Sequence, residues 1–305
     1  MSSTRAVSSF SSSRKEWASR PRNPGKSGAY LPGMDERGGR AAGAGNYGWR
    51  HRWVVRRLLV GLGLVTLVLP GTACAQSATP FEPPAADGSL RVLFIGNSLT
   101  AFNDLPGMLY SLLQVGGAED VTIEAIARPN YGLEDHWGQQ ATHDAIAEGW
   151  DVVVLQQGPS ATEGRPSLLE YSEIFAAPIR EAGAVPALYM VWPAEARSFD
   201  FPGVSDSYAD AADRIGGLLF PAGEAWLAAW KIDPDLELYG PDRFHPSPLG
   251  TYLAALVMYE QLTGDDPRAL TGDVPGFDGV APPEDLEALR RAARQANAEH
   301  RRTPD

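Results

Sequence analysis

Short apolar runs alternate with helix-like segments along the chain from residue 90 onward. Five runs are continuous enough to predict buried parallel strands, at residues 90–95, 121–127, 150–155, 185–192 and 219–220. Seven segments between and after them have the apolar spacing of helices, at residues 105–115, 143–148, 167–182, 207–218, 223–230, 248–262 and 283–300. Strands separated by helices predict a one-domain α/β protein, a three-layer sandwich in which helices cover both faces of a five-stranded parallel sheet.

The N-terminal part of the chain has a different composition and predicts three successive segments. Residues 1–50 are rich in Ser, Gly, Ala and Arg, so we interpret them as a disordered extension or as the product of a start codon assigned too far upstream. Residues 51–75 combine a basic flank, an apolar core at 58–69 and a small-residue exit, the pattern of a secretory signal peptide. The Pro-containing residues 76–89 predict a linker, after which residues 90–305 form the folded domain.

Processing of this leader determines where the protein is expected to reside. Its apolar core is shorter than the roughly 20 residues of a membrane span, so no stable span is expected in the mature chain. Cleavage after Ala75 predicts a secreted or periplasmic protein, whereas cleavage before Cys74 predicts a lipoprotein anchored through that cysteine. We favour the first, because the Leu usual three positions before a lipidated cysteine is absent. As Cys74 is the only cysteine, neither an intrachain disulfide nor a cysteine zinc site is possible.

The charge of the mature part excludes some classes of partner. Residues 76–305 contain 14 basic and 35 acidic side chains, a net charge of −21. Such a surface disfavours nucleic acids and anionic membranes. The expected partner is a small-molecule or glycan substrate.

Ser98 is a candidate nucleophile, because it follows the first predicted strand in the stretch LFIGNSLT. Reactive groups of open parallel sheets gather at the carboxyl ends of the strands, and a following helix adds the positive end of its dipole. Considered alone, however, a serine at this place is more typical of a helix cap. The Gly-x-Ser-x-Gly pentapeptide of α/β-hydrolases is absent, so a hydrolase would belong to another class.

A serine nucleophile needs a base, and His245 is the best placed histidine. It lies in GPDRFHPSPLG with Asp242 three residues before it, so that the carboxylate can accept from one ring nitrogen while the other faces outward. The alternative is a turn-capping Asp242 and a surface His245. His143 and His300 are expected on the solvated surface, and His136 is expected near a strand end without an obvious partner.

An oxyanion also needs hydrogen-bond donors, and two strand ends offer them. Gly132 follows the second strand, where a glycine can bring its N–H close to a substrate. Gln156 and Gln157 follow the third strand, and two amides at the rim of a sheet are costly to bury unless they are paired. A turn explains the glycine after them more easily than it explains the glutamine pair.

In their order along the chain, these strand-end motifs resemble those of the SGNH, or GDSL-like, hydrolase superfamily. The stretch FIGNSLT is similar to its first block, with Ser98 as the nucleophile and Asn97 in place of the more usual aspartate. Gly132 matches the second block, and DRFHPS is similar to the last. The resemblance extends over residues 90–265, and the run after DRFHPS is similar to a GNSL-type bacterial branch.

The resemblance implies a flavodoxin-like sheet and a triad of Ser98, His245 and Asp242. It also implies that the N–H groups of Ser98 and Gly132 line an oxyanion hole. The implied reaction is acyl-ester hydrolysis through an acyl-enzyme. This chemistry needs no metal ion and no organic cofactor.

One departure from the family pattern concerns the third block, which normally supplies an asparagine donor. Here the run is VVVLQQGPS, so Gln156 or Gln157 is the expected donor, as in some carbohydrate-esterase branches. Acetyl esters on carbohydrates are therefore the first candidate substrates, and Trp137 and Trp192 are either sugar-stacking faces or, as we favour, core aromatics. The alternatives are a lipid or short-chain ester hydrolase, and a non-catalytic carbohydrate-binding or surface protein on the same fold.

Overall fold

The computed structural model describes residues 89–270, Val274 and residues 281–300. The predicted extension and signal peptide, including Cys74, lie outside the described residues, as does the predicted linker except for its last residue. That residue, Ser89, already belongs to the first strand.

Five strands form one sheet in which every pairing is parallel. They are β1 (Ser89–Gly96), β2 (Asp120–Ala127), β3 (Val152–Leu155), β4 (Val185–Tyr189) and β5 (Leu218–Phe220). Their order across the sheet is β2-β1-β3-β4-β5, the flavodoxin-like order. The predicted α/β class and the five-stranded parallel sheet are therefore confirmed.

Nine helices of the described residues surround the sheet. They are α1 (Ser98–Ala101), α2 (Leu105–Val115), α3 (Leu133–Trp137), α4 (Gln140–Ile146), α5 (Arg165–Glu181), α6 (Phe201–Ile215), α7 (Ala222–Ile232), α8 (Pro248–Thr263) and α9 (Pro283–His300). Helices α2, α7, α8 and α9 pack in one group and α3, α5 and α6 in another, so the sheet lies between two helical layers. None of the helices in the described ranges is long and apolar enough to span a membrane.

Burial explains why the strands form where the apolar runs predict them. Every residue of Val152–Leu155 is buried, and so are Val92, Leu93, Phe94 and Ile95 of β1. Strands covered on both faces need such continuous apolar sequence, because neither face meets water. The helical layers supply that cover, and Trp192 and Trp226 stack within the core at 3.6 Å between ring centroids.

Several elements differ from the sequence prediction, including the four-residue α1, which was not predicted, and α4, which begins three residues before its predicted start. Helix α6 begins at Phe201, six residues before the predicted start, since Pro202 fits the first turn of a helix, where its missing N–H costs nothing. The fourth strand ends at Tyr189 rather than at residue 192. Helix α3, with only five residues, was not predicted, because so short a helix has no readable apolar period.

The register of the sheet aligns the ends of the three strands that hold the candidate residues. Ile95 of β1 pairs with Ile126 of β2 on one side and with Leu155 of β3 on the other. The chain therefore leaves all three strands at one edge within a residue or two. Asn97, Arg128 and Gln156 are the first residues beyond these strands.

Candidate active site

Ser98 lies at the junction of β1 and α1. Asn97 is the N-cap residue of α1, and its side-chain Oδ1 accepts from the Leu99 N–H at 3.0 Å. Ser98 is the first helical residue, and its own N–H has no partner among the described residues, as expected of a first-turn amide. The amide is thus free to bind an oxygen of a ligand.

The turn before Ser98 requires a glycine. A Cβ at Gly96 would lie 2.5 Å from Thr100 Oγ1 and 2.6 Å from Gln156 Oε1. Both atoms belong to side chains that are themselves hydrogen-bonded, at 2.8 Å between these two oxygens. The backbone of β1 therefore approaches β3 closely at this point.

The structure brings the three residues of the expected triad together. The Ser98 Oγ lies 2.8 Å from His245 Nε2, and His245 Nδ1 lies 2.5 Å from Asp242 Oδ2. Both bonds fall within hydrogen-bond distance although 147 residues separate Ser98 from His245. Such a chain of contacts is the geometry of a nucleophile, a base and a carboxylate that orients the base.

Asp242 is held as a carboxylate by its own loop. The hydrogen bond from His245 and the Phe244 and His245 N–H groups, at 3.0 and 2.9 Å, lower the pKa of Asp242 to about 2. A carboxylate accepts and does not donate, so we assign the proton of neutral His245 to Nδ1. Its Nε2 is then left to accept the hydroxyl proton of Ser98.

Contacts from two other elements fix the position of His245. The ring of Phe102 stacks on the imidazole, with centroids 4.3 Å apart and planes inclined by 15°. The Asn103 amide donates to the Pro246 carbonyl at 2.9 Å, and the indole N–H of Trp192 donates to the Phe244 carbonyl at 3.0 Å. The segment that follows Ser98 is thereby attached to the loop of the base.

The turn before α3 places Gly132 beside the serine turn. Asn97 Nδ2 donates to the Tyr131 carbonyl at 3.0 Å. The Gly132 N–H donates to Asp135 Oδ2 at 2.8 Å, which is the bond from the N-cap N–H to the N3 side chain at the start of α3. An oxyanion that used this N–H would therefore have to displace the Asp135 carboxylate.

The two glutamines after β3 are buried, and each uses both its amide oxygen and one N–H of its amide nitrogen in hydrogen bonds. Gln156 Oε1 accepts from the Asn97 N–H at 2.9 Å and from Thr100 Oγ1 at 2.8 Å, and its Nε2 donates to the Gln157 carbonyl at 2.6 Å. Gln157 Oε1 accepts from the Leu133 N–H at 2.7 Å, and its Nε2 donates to a serine hydroxyl of α5 at 3.2 Å. Donation by either amide to an oxyanion stays a prediction.

The remaining histidines have structural contacts. His136 is fully buried, and its Nε2 donates to the Gly96 carbonyl at 2.8 Å, which supplies the partner that the sequence did not reveal. The prediction of a solvated His143 is wrong, because this side chain is half-buried and its Nε2 lies 2.7 Å from the Trp137 carbonyl. His300 is also half-buried, 3.9 Å from a carboxylate oxygen of Glu224.

The two tryptophans considered as sugar-stacking faces belong to the core, as favoured from the sequence. Trp192 is fully buried. Trp137 is half-buried and packs edge-on against Phe175 and His143. The buried ring of Trp192 therefore presents no free face to a ligand.

A cavity of about 870 Å³ adjoins the loop that contains the base. Its lining includes aromatic rings and carboxylates: Phe102, Trp230, Tyr239, Glu195, Asp235 and Glu237. Arg243, which also lines it, is paired with Glu195 at 3.2 Å. Phe102 lines the cavity and also stacks on the imidazole of His245, so the cavity lies beside that residue. Sequence patterns did not indicate it, because its walls come from four separate segments.

Within the described ranges, no cluster of His, Cys, Asp and Glu could hold a metal ion.

Comparison with solved structures finds proteins of the same architecture. A DUF4886 family protein from Bacteroides uniformis has 20% sequence identity and a TM-score of 0.57, and the match covers 71% of this chain and 98% of that one. A protein from Slackia heliotrinireducens, described as a candidate SGNH hydrolase, has 29% identity and a TM-score of 0.49 over 57% of this chain and 99% of that one. A candidate GDSL-like lipase from Parabacteroides merdae has 16% identity and a TM-score of 0.45 over 57% and 94%.

The likeness to the DUF4886 protein shows a shared fold. Proteins described as SGNH or GDSL-like hydrolases recur among the matched structures, as the resemblance of the motifs predicts. No family model matches the chain, and a search of the curated proteins finds no match.

Buried His136 predicts a loss of stability in acid. Burial lowers the pKa of His136 below its usual 6.5 and outweighs the hydrogen bond to Gly96, which raises it. The unfolded chain therefore binds a proton that the folded state resists, so stability is full above pH 6.5 and is lost as the pH falls below that value. We expect the melting temperature to fall less between pH 7.5 and 5.5 in His136→Gln than in the parent. His300→Gln is the control, and a parallel fall in all three proteins would contradict the prediction.

Proposed function

We propose that this protein is a serine esterase that hydrolyses acyl esters, with acetyl esters of carbohydrates as its substrate class. The single observation that supports this most strongly is the position of His245 between Ser98 and Asp242, at 2.8 and 2.5 Å. A serine that merely capped a helix would have no need of an oriented imidazole.

The proposed reaction proceeds in two steps. Ser98 Oγ attacks the ester carbonyl carbon while His245 Nε2 takes the hydroxyl proton, and that proton then passes to the departing alcohol as the C–O bond breaks. Water attacks the acyl-enzyme with His245 again as base. His245 then returns the proton to Ser98 Oγ as the bond from that oxygen to the acyl carbon breaks and the carboxylic acid leaves. Asp242 stays ionised throughout and stabilises the imidazolium.

The developing oxyanion needs donors that point at it before the reaction begins. We assign the Ser98 N–H, which has no partner within the described part of the chain, and the Gly132 N–H, with a glutamine amide as the predicted third donor. The positive end of a following helix adds to these donors.

A carbohydrate ester is supported by the surroundings of the base. The cavity beside Phe102 has aromatic walls and a carboxylate rim, and such walls suit a neutral, hydroxyl-rich alcohol group. The net charge of −21 in residues 76–305 disfavours anionic substrates. A secreted or periplasmic location, as the signal pattern at residues 51–75 predicts, is where extracellular glycans occur. Lipid anchoring through Cys74 is the alternative.

Removal of the nucleophile tests the proposed function. We expect Ser98→Ala to lower kcat for p-nitrophenyl acetate at least about 10⁴-fold, and Asp242→Asn to lower it by a similar factor. A fluorophosphonate probe should label the parent and not Ser98→Ala. Ser111→Ala, in α2, is the matched control and should keep full activity and labelling, because within the described ranges the Ser111 hydroxyl is bonded only to the Gly107 carbonyl of its own helix. Unchanged hydrolysis by Ser98→Ala, or a parent that resists the probe, would overturn the assignment.

The contact between Asp135 and the proposed oxyanion donor predicts a gain of activity. Asp135→Asn keeps an oxygen that accepts from the Gly132 N–H but removes the negative charge, so the oxyanion displaces it more easily. A neutral hydrogen bond is weaker than a charge-assisted one by about 1 kcal/mol, so we expect kcat/KM to rise about fivefold. The control is Glu134→Gln, the same change of charge at the neighbouring residue. An unchanged or lower kcat/KM in Asp135→Asn, with Glu134→Gln like the parent, would contradict the prediction.

The substrate class is tested by an activity panel. We expect kcat/KM to be at least about tenfold higher on acetylated monosaccharides and acetylated xylan than on decanoyl nitrophenyl ester. A difference of this size corresponds to about 1.4 kcal/mol of transition-state binding. A higher kcat/KM on the long-chain ester would contradict the proposed carbohydrate substrate class and would favour lipid esters instead.

A further inference from the structure

Asn97 uses both ends of its side-chain amide. The carbonyl Oδ1 accepts from the Leu99 N–H at 3.0 Å and so caps α1. The Nδ2 donates to the Tyr131 carbonyl at 3.0 Å, across to the turn that follows β2. The residue is only 9% exposed, so neither bond is open to replacement by bulk water.

The bond to Tyr131 fixes the direction of the Gly132 N–H. The Tyr131 carbonyl and the Gly132 N–H belong to one peptide plane, and in a trans peptide they point in opposite directions. A side chain that holds the carbonyl therefore also sets where the N–H points. In this structure it points at Asp135 Oδ2, 2.8 Å from the nitrogen.

An aspartate at position 97 could not form both bonds. Its carboxylate would accept from the Leu99 N–H, because aspartate is as good an N-cap as asparagine. Toward the Tyr131 carbonyl it would present a second acceptor with no proton between the two oxygens. The chain therefore has a physical reason for asparagine at the position where aspartate is the more usual residue.

We propose that Asn97 is a positioning residue, whose amide holds the Tyr131–Gly132 peptide so that the Gly132 N–H keeps its direction relative to Ser98. This role rests on the proposed function, in which that N–H stabilises the oxyanion. Asn97 itself touches neither the substrate nor the reacting atoms.

The test separates the two bonds of Asn97. Asn97→Asp and Asn97→Ser both keep a capping oxygen, but the first lacks a donor and the second is too short to reach Tyr131. We expect each to lower kcat for p-nitrophenyl acetate about 10- to 100-fold, the effect of a misdirected catalytic group, with KM within about threefold of the parent. The Ki of phenylboronic acid, whose tetrahedral adduct places an oxygen in the same hole, should rise by the factor by which kcat/KM falls. Melting temperatures should fall, because the Tyr131 carbonyl loses its donor. Both variants are therefore assayed well below their own melting temperatures, where the chain is folded.

Asn130→Asp is the matched control, because it introduces the same charge one residue from Tyr131 at an exposed position. It should change kcat less than about twofold. The positioning role is overturned if Asn97→Asp and Asn97→Ser keep kcat and the boronic acid Ki within threefold of the parent, or if Asn130→Asp loses as much. If Asn97→Asp does not fold, Asn97→Ser decides between the same results. Failure of a fluorophosphonate to label the parent would overturn the proposed function, and this role with it.

Discussion

The geometry of the sheet edge depends on two buried amide side chains at the end of the central β3 strand. Gln156 holds the N–H of Asn97 and the hydroxyl of Thr100, and Gln157 holds the N–H of Leu133. A buried amide is costly unless it is hydrogen-bonded, so these bonds hold the turns after β1 and β2 against the end of β3. The turns after β1 and β2 are consequently fixed to the same strand, and neither can shift alone.

A second set of contacts attaches the imidazole to this edge. Phe102 and Asn103 belong to the segment directly after α1, and they bind the ring of His245 and the carbonyl of Pro246. Trp192, buried in the core, holds the Phe244 carbonyl of the same loop. The imidazole of His245 is thus positioned by the segment that contains Ser98 and by the hydrophobic core, rather than by its own loop alone.

The sequence predicts the framework better than it predicts the surroundings of the triad. Continuous apolar runs identify buried strands, so all five strands could be predicted, and the DRFHPS stretch supplies both Asp242 and His245. Spacing along the chain does not reveal that Asp135 binds the Gly132 N–H, or that Phe102 stacks on the imidazole. Such contacts join segments whose relative placement is set by strand order and register, which no local pattern encodes.

Gly96 is the place where this edge tolerates least variation. Any side chain there would press on Thr100 and on Gln156 at once, the two groups that bridge the first and third strands. The central strands would stay buried while the serine turn moved outward, which separates foldability from reactivity at one residue. Divergent copies of this chain in which position 96 has gained a side chain are therefore expected to persist as folded proteins that lack the proposed hydrolysis.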